Sequence, residues 1–559
     1  MSYYAPVPEA LSTLTGPTVT GSTLTAPSTS GSTPAGTTLT GRARTVVAVA
    51  VAFIVVLGVV LRFYTHSALW LDEALTVDRA RLPLSQIAGS VKQDGAPPLF
   101  YYLLHFWMRV FGQSDLATRS LSGVIGVISL PVAWLAGKRF GGRATAWTTV
   151  VLLSSAPFAV YYSTEARMYS LVILLTGCGF LALHRALQRP RPGNLIATAV
   201  VTAALLYTQY WSLYLVGVVG LWLLWSALWG RHLDAAAPAW KRPFAAFWAM
   251  AAGCVLFVPW LPIFIYQSRY TGTPWAAPPN FAAVINAVTG FTANQGSLSI
   301  AGTDQGRLLA LIYFAMFALA LFGVGRSGRI IELDVRTQPR ARGMSITVVG
   351  TLFAAIAGGI LTTSAFSPRY AAVVFLPLLL LVALGTTTFL STRVRLAIVA
   401  VAVVAGFIGS VQNITTLRTQ APKVAAVIDA HAEPGDIIAL CPDQLGPATY
   451  RAVADPGRYT MVTFPRGTGP QFVDWVRYAS VVKAASPKAF ADKLLAEAGS
   501  NHRIWLVWQP GYQAFGIKCE QLASALLSAP GVGGHNWVLP NGAKYYEPMT
   551  LTEYVPQPG

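Results

Sequence analysis

Charged residues are scarce in this chain. Only 11% of its 559 residues are Asp, Glu, Lys or Arg, whereas 54% are hydrophobic. Soluble domains usually carry about 25% charged residues, so the composition excludes an ordinary soluble protein. The mean hydropathy of +0.52 is typical of a chain that crosses the membrane many times. We therefore predict an α-helical polytopic membrane protein.

Acidic residues are scarcer than basic ones. The chain has 22 Asp and Glu against 40 Lys and Arg, which gives a formal net charge of +18. In a membrane protein this excess favours cytoplasmic loops that fix the orientation, and it also suits anionic membrane lipids or phosphate groups. Because no basic stretch is interleaved with aromatic residues in a soluble module, we expect no nucleic-acid partner.

Cysteine is also rare, with four residues in the whole chain. Cys178 and Cys254 lie in apolar runs, and Cys441 and Cys519 lie in the C-terminal region. None has the spacing of a metal site. In an oxidising compartment Cys441 and Cys519 could form a disulfide, and the alternative is two buried thiols.

The first 41 residues have almost no charge and no long apolar run. They are mostly Ser, Thr, Pro and Gly, and such a segment cannot bury enough apolar surface to fold. A basic start followed by a short apolar core, as in a signal peptide, is missing. We expect residues 1–41 to be a disordered cytoplasmic tail that precedes an uncleaved first span.

Eleven apolar runs approach the roughly 20 residues needed to cross a bilayer. They lie at 45–64, 119–137, 145–162, 169–187, 194–210, 212–229, 245–266, 307–325, 345–363, 371–390 and 394–412. The shorter run Pro97–Phe111 is predicted to be an interfacial helix. With that assignment, the basic loops all fall on the side of the N-terminal tail, which the positive-inside rule makes cytoplasmic. We predict a transmembrane domain over residues 42–412 of a plasma-membrane protein.

The composition becomes mixed after this transmembrane region. Asp436–Leu440 and Ile504–Trp508 are predicted to be buried strands, and Lys488–Ala498 and Glu520–Ser528 are predicted to be helices. Strands that alternate with helices are typical of an α/β domain. We predict that residues 413–559 form a small α/β domain on the extracytoplasmic side.

Two adjacent carboxylates, Asp72 and Glu73, follow the first span directly. Carboxylates near lipid are unfavourable unless a cavity, a partner or a reaction uses them. We interpret this pair as catalytic, with Asp72 as a general base for a hydroxyl nucleophile. The alternative is a solvated interfacial pair that caps a helix beginning at Ala74.

A second group of candidates lies in the outer loops. If the stretch from Tyr162 to Tyr169 is helical, Tyr162, Glu165 and Tyr169 share one face. A guanidinium matches two phosphate oxygens, so a phosphate-binding role is predicted for this loop and for a later outer loop. The predicted donor-binding residues are Glu165, Arg167, Tyr169, Arg369 and Tyr370. The alternative is rim charges, lipid-headgroup contacts and interfacial tyrosines.

The stretch around Gly95 supplies further candidates. Gly95 favours a turn, and Pro97 and Pro98 favour a helix start. Asp94 is either a helix cap or a site carboxylate. Asp94, Tyr101, Tyr102 and Tyr162 are predicted to line the acceptor side or the cavity, and His105 is interpreted as structural.

These motifs together resemble the GT-C glycosyltransferases. Asp-Glu after the first span, then Pro-Pro-Leu-x-Tyr-Tyr, then Glu-Ala-Arg-Met-Tyr and a later Arg-Tyr occur in that order. The resemblance covers about residues 45–410 and is strongest to protein O-mannosyltransferases and lipid A aminoarabinose transferases. It implies a polyprenyl-phosphate sugar donor and inverting transfer, with Asp72 as the base and Glu165 at the second acidic position.

The resemblance leaves several points open. Relatives often carry His or a charged residue before Pro-Pro, and some of them bind a metal with residues of this region, whereas this chain has Ala96. The resemblance therefore leaves both a divalent cation and the absence of any cofactor open. Mannose is the expected sugar, and arabinose or an aminosugar is the alternative. The acceptor is a glycan, a lipid or a protein. The other functional classes are a flippase or transporter of lipid-linked sugar, and a non-catalytic cell-envelope scaffold.

Overall fold

The computed structural model describes residues 41–233, 240–272, 279–280, 282–292, 304–326, 330–362, 364 and 366–556. The predicted N-terminal tail lies outside the described residues, apart from Gly41. Helices dominate as far as residue 415. In chain order they are α1 (Gly41–Leu61), α2 (Leu71–Arg81), α3 (Leu84–Lys92), α4 (Leu99–Phe111), α5 (Asp115–Gly141), α6 (Arg143–Ser155), α7 (Pro157–Ser163), α8 (Tyr169–Gln188), α9 (Pro192–Leu206), α10 (Ser212–Leu233), α11 (Lys241–Leu256), α12 (Leu261–Tyr270), α13 (Ala283–Thr292), α14 (Asp304–Phe322), α15 (Pro339–Thr362), α16 (Ala372–Thr386) and α17 (Thr392–Thr415).

The predicted polytopic membrane fold is confirmed by these helices. Each of the eleven predicted runs coincides with a helix or with two consecutive helices. Within the described ranges, nine helical segments are long and apolar enough to cross a membrane, with α11 and α12 counted as one. A tenth is the bent pair α6 and α7, and α9 is a shorter apolar helix. The total of eleven spans therefore stays a prediction.

Helix α16 forms the centre of the bundle. Every residue from Ala372 to Ala383 is buried, and most of them are apolar. Helix α1, in contrast, exposes apolar side chains such as Val49 and Phe53 to the surroundings. This contrast is expected when the first helix lies at the lipid-facing edge and α16 is enclosed by other helices.

A bend of 58° separates α6 from α7. Pro157 is the first residue of α7 and lacks the amide that would continue α6. The buried Arg62 guanidinium donates to the carbonyls of Leu153 (2.7 Å) and Ser154 (3.2 Å), and so satisfies carbonyls that the break leaves free. Since α7 ends at Ser163 and α8 begins at Tyr169, the stretch between Tyr162 and Tyr169 is not one helix, and the condition for a shared helical face is not met.

The short helix α4 has 13 residues, so it spans about 20 Å at 1.5 Å per residue. That is less than the roughly 30 Å of bilayer hydrocarbon, as expected for the predicted interfacial helix. The Leu99 amide at its start donates to the Tyr207 carbonyl at 3.0 Å. This bond fixes the helix against the end of α9.

The region after α17 has the predicted α/β composition. Its helices are α18 (Ala421–His431), α19 (Gly446–Ala452), α20 (Tyr478–Ala484), α21 (Pro487–Ala498) and α22 (Lys518–Leu527). The first two strands of the chain belong to the helical region instead: β1 (Gly323–Gly325) and β2 (Ile331–Leu333) pair between α14 and α15. The remaining strands are β3 (Leu417–Thr419), β4 (Ile437–Cys441), β5 (Thr460–Thr463), β6 (Ile504–Trp508), β7 (Val532–Val538), β8 (Tyr545–Glu547) and β9 (Thr550–Pro556).

Two sheets organise this C-terminal region. The larger has the strand order β5-β4-β6-β9-β7, in which β5, β4 and β6 are parallel. Cys441 at the end of β4 and Cys519 in α22 form a disulfide, which is the first of the two alternatives for these cysteines. The smaller sheet pairs β3 with β8 in parallel, with Leu417 opposite Tyr545 and Thr419 opposite Glu547.

The two-stranded sheet joins the C-terminal region to the end of the bundle. The Arg418 backbone amide donates a hydrogen bond to the Ser67 hydroxyl oxygen at 2.7 Å. The Tyr546 ring contacts the Trp70 ring edge-on, with centroids 5.1 Å apart. Both contacts are to the loop between α1 and α2, so this small sheet lies directly against the segment that carries Asp72.

Candidate functional site

Asp72 lies in the first turn of α2, because that helix begins at Leu71 and not at Ala74. Its carboxylate does not cap the helix, so the capping interpretation is wrong. Instead, its Oδ2 accepts a hydrogen bond from Arg369 Nη1 at 2.8 Å and lies 3.8 Å from Arg167 Nη2. All three side chains are 12–16% exposed. The site is thus enclosed but still open to a small group.

Glu73 points to the other side of α2 and is fully buried. Its carboxylate accepts from Arg119 at 2.7 and 2.5 Å and from the Ala166 amide at 2.9 Å, and Arg418 lies 3.1 Å away. Burial alone would raise the pKa of Glu73, but the two guanidinium groups outweigh it and lower the pKa to about 2. Glu73 therefore ties α2 to α5, to the loop before α8 and to β3.

Glu165 lies in the turn between α7 and α8 and is also fully buried. Its Oε1 accepts a hydrogen bond from the Trp70 indole at 3.1 Å, and within the described part of the chain its Oε2 has no hydrogen-bond partner. Burial raises the pKa of Glu165 to about 7, with Arg418 acting against the shift and the Glu73 and Asp72 carboxylates adding to it. The carboxyl can thus gain or lose a proton near neutral pH.

The predicted tyrosines gather around the two arginines. The Tyr162 and Tyr169 ring centres lie 4.5 Å apart, although the two residues do not share one helix. The Tyr169 hydroxyl is buried and has no hydrogen-bond partner in the ranges that the structure describes. Tyr370 lies beside Arg369 in a short 3₁₀ turn, Pro368–Ala371, with the guanidinium 5.7 Å from the Tyr370 ring centre. These rings form an aromatic wall beside Asp72.

Asp94 belongs to a neighbouring network. It pairs with the buried Arg79 at 2.8 Å and accepts a hydrogen bond from the Tyr101 hydroxyl. Helix α4 begins only at Leu99, so Asp94 does not cap it. Arg79 also donates to the Val473 carbonyl at 2.9 Å, which connects this network to the C-terminal region.

The two remaining candidates of this stretch lie outside the Asp72 site. Tyr102 packs in a separate apolar cluster with Tyr101 and Trp260. The His105 ring nitrogen Nδ1 lies 2.7 Å from the Ala80 carbonyl. This bond links α4 to α2 and agrees with a structural role for His105.

Four arginines of this region were missed by the sequence analysis, namely Arg79, Arg119, Arg418 and Arg451. Lys and Arg were interpreted mainly as markers of cytoplasmic loops. A signal was available for Arg119, which lies at the start of the predicted span 119–137, since a buried arginine requires a carboxylate partner.

The residues around Asp72 do not suit a divalent cation. Among the described residues, no group of three His, Cys, Asp or Glu side chains could hold a metal. Asp72 and Glu73 each pair with two arginines, and these guanidinium groups would repel a cation.

This chain is similar to known proteins in part of its sequence and in its fold. The family model of the dolichyl-phosphate-mannose-protein mannosyltransferases matches residues 95–263, a segment that includes Glu165 and Arg167. A search of the curated proteins found no match.

Solved structures match nearly the whole chain. ArnT from Cupriavidus metallidurans bound to undecaprenyl phosphate is 13% identical, with 92% of this chain and 98% of that chain covered and a TM-score of 0.53. The apo structure of the same protein is 14% identical, with 91% of this chain and 97% of that chain covered and a TM-score of 0.55. The Archaeoglobus fulgidus oligosaccharyltransferase tethered with an acceptor peptide is 10% identical, with 87% and 72% covered and a TM-score of 0.50.

These identities are low, so the structural matches establish the fold. The family match covers the loop with Glu165 and Arg167, and the order of the motifs around it agrees with that match. Together they show that the chain has the fold of ArnT and is similar over residues 95–263 to the dolichyl-phosphate-mannose-protein mannosyltransferases, as the GT-C resemblance of the motifs predicts.

Proposed function

We propose that the protein transfers a sugar from a polyprenyl-phosphate donor to an acceptor hydroxyl, with inversion at the anomeric carbon. The observation that carries this proposal is the Asp72 carboxylate, partly exposed and held between Arg369 and Arg167. A base and two phosphate-binding groups in one cavity are the parts that such a transfer requires. We further propose that the cavity faces the extracytoplasmic side of the plasma membrane, with the N-terminus cytoplasmic.

Arg167 and Arg369 are proposed to bind the donor phosphate. Both guanidinium groups are largely buried and lie against one carboxylate, so an anion is already accommodated at this position. The aromatic wall of Tyr162, Tyr169 and Tyr370 offers hydroxyl groups and ring faces to the sugar. The bound undecaprenyl phosphate in the ArnT structure supports a lipid phosphate as the ligand class.

The same geometry suggests how Asp72 becomes a base. Without donor, Asp72 neutralises the two arginines. A donor phosphate that pairs with the arginines takes over this charge, and the carboxylate is then free to accept a proton. Asp72 would remove the proton of the acceptor hydroxyl as its oxygen attacks the anomeric carbon from the face opposite the phosphate. The bond to the phosphate oxygen breaks, and the arginines stabilise the departing polyprenyl phosphate.

Mannose is the favoured sugar. The matched family acts on dolichyl-phosphate mannose according to its description, and this supports mannose over arabinose or an aminosugar. Glu73 is proposed to position Asp72 from behind, since it is bonded within the protein and does not face the cavity. The C-terminal region is proposed to complete the site, because Arg418 and Tyr546 contact the segment around Asp72.

The test is transfer by purified protein in sealed vesicles supplied with radiolabelled polyprenyl-phosphate mannose. Wild type should move label to an acceptor, and Asp72→Asn should reduce the rate by about 10²-fold or more. The matched control is Asp115→Asn, which changes an exposed carboxylate paired with Arg451 outside the site and should transfer like wild type.

Three results would contradict the proposal. Label carried intact across the vesicle membrane would indicate a flippase. Neither transfer nor transport, with folded protein, would indicate a scaffold. Full transfer by Asp72→Asn would exclude Asp72 as the base.

A further inference from the structure

A buried carboxyl in the C-terminal region has no role in the chemistry proposed above. Glu547, the last residue of β8, is 6% exposed. The Thr419 side chain and the Leu71 amide act on its carboxyl as hydrogen-bond donors, while Oε2 has no hydrogen-bond partner among the described residues. An unsatisfied buried carboxyl oxygen is unfavourable, and a hydrogen-bonding ligand would remove that penalty.

The surroundings place Glu547 beside Asp72. The Leu71 amide that acts on Glu547 belongs to the residue directly before Asp72, and the Asp72 carboxylate is the charged group that acts on Glu547. The preceding residue, Tyr546, contacts the Trp70 ring. Tyr512 lies near enough to Glu547, Tyr546 and Asp72 to interact electrostatically with all three. Glu547, Tyr512 and Tyr546 therefore form one group on the C-terminal side of the base.

This group supplies no guanidinium of its own. The donor side of Asp72 carries the Arg167 and Arg369 guanidinium groups, and Arg369 is the cation that acts on Tyr546. The group itself consists of a carboxyl and two phenols, and burial raises the pKa of Glu547 to about 8. A protonated carboxyl both donates and accepts a hydrogen bond, which matches a hydroxyl group. Once the two arginines bind the donor phosphate, a phosphate or carboxylate on the acceptor would meet the Asp72 carboxylate with no further cation in this group.

We propose that Glu547, Tyr512 and Tyr546 form the acceptor subsite and that it takes a neutral, hydroxyl-rich acceptor, that is, a carbohydrate without acidic groups. The Glu547 carboxyl bonds a hydroxyl adjacent to the one that Asp72 deprotonates, and the tyrosines contact the ring. This inference deepens the proposed function and rests on it. Glu547 acts as a binding group and takes no part in bond breaking.

The test compares acceptor and donor kinetics in the full-length protein. The probes are octyl mannoside as neutral acceptor and octyl glucuronide as anionic acceptor, with radiolabelled polyprenyl-phosphate mannose as donor. Glu547→Ala should raise the KM for octyl mannoside about tenfold, the value of one lost hydrogen bond of about 1.4 kcal/mol. The donor KM should change by less than about twofold, since no donor-binding group is removed.

Two further variants separate binding from folding. Glu547→Gln keeps a neutral group that donates and accepts, so its KM for octyl mannoside should fall between those of wild type and Glu547→Ala. The matched control is Glu553→Gln, which changes another buried carboxylate of the same region, bonded to Arg503 and Trp537. Its KM for octyl mannoside should equal that of wild type. Binding of the two glycosides is also followed directly by tryptophan fluorescence.

The outcomes keep the two proposals apart. Wild type that turns over no donor with any acceptor overturns the proposed function itself. Wild type that turns over donor but neither binds nor glycosylates octyl mannoside overturns the subsite. So does an unchanged acceptor KM in Glu547→Ala, an equal rise in donor and acceptor KM, or a preference for the glucuronide.

Discussion

Replacing each of the two neighbouring carboxylates of α2 by its amide should have different effects. Glu73→Gln should mainly lower the stability of the protein, and Asp72→Asn should mainly abolish sugar transfer. Glu73→Gln keeps the size of the side chain and removes its charge. In the wild type this charge is shared by Arg119, at 2.7 and 2.5 Å, and by Arg418, at 3.1 Å. The two arginines are only 4% and 1% exposed, so water cannot replace the lost carboxylate.

The magnitude follows from this burial. Breaking a buried ion pair by removal of one partner is destabilising by about 3–5 kcal/mol, because the other charge is left uncompensated. Two guanidinium groups are left here, which favours the upper part of that range. Asp72→Asn also removes a carboxylate from two arginines, but these side chains are 12–16% exposed and water reaches the charges that are left, so it should destabilise the protein less than Glu73→Gln does.

The assay measures thermal unfolding and sugar transfer on the same detergent-purified samples. Glu73→Gln should unfold at a clearly lower temperature than wild type, whereas Asp72→Asn should unfold at a temperature between the two and lose transfer. The reasoning fails if Glu73→Gln is as stable as Asp72→Asn. It also fails if Glu73→Gln keeps its stability and yet loses transfer, since Glu73 would then act in the reaction itself.

Three further expectations follow from other parts of the molecule. Arg369→Gln should raise the donor KM and lower kcat, so that kcat/KM falls by about 10²-fold or more. Initial-rate measurements with varied donor test this. If neither KM nor kcat changes, Arg369 does not bind the phosphate. Reduction of the Cys441–Cys519 disulfide, whose cysteines are 78 residues apart, should destabilise the C-terminal region by about 2–4 kcal/mol, measured by denaturant unfolding with and without reductant; equal midpoints would contradict this. Because burial raises the pKa of Glu547 to about 8 from 4.5, its contribution to stability is greatest below pH 4.5 and is lost as the pH rises to about 8. Glu547→Gln should reduce the fall in unfolding temperature between pH 5 and pH 9, and an identical fall in both proteins would show that Glu547 is not the titrating group.

The membrane helices could be predicted from the sequence because hydropathy alone determines where a long apolar run must lie. The strands Ile437–Cys441 and Ile504–Trp508 were also found within one residue, since each is a short buried apolar run. The break between α6 and α7 was missed, although Pro157 marks it. A proline within an apolar run is compatible with both a kinked span and a continuous one.

Part of the candidate site could also be predicted from the sequence. Asp72, Arg167 and Arg369 were expected on one face of the membrane, and the structure brings them into contact. The separate position of Glu73 could have been inferred, because consecutive helical residues point about 100° apart. The contacts of Arg418 and Glu547 could not, because they depend on how β3 and β8 pair across a long stretch of chain.

The pairing of β3 with β8 has a consequence for how the protein is made. Residues Leu417–Thr419 leave the ribosome soon after the last apolar helix, whereas their partners Tyr545–Glu547 follow only after the whole five-stranded sheet region. A nascent chain can therefore insert all its membrane helices while the contact of Tyr546 with Trp70, beside Asp72, is still missing. Sugar transfer should begin only when this late segment has folded, so that a chain truncated before residue 545 would be inserted but inactive.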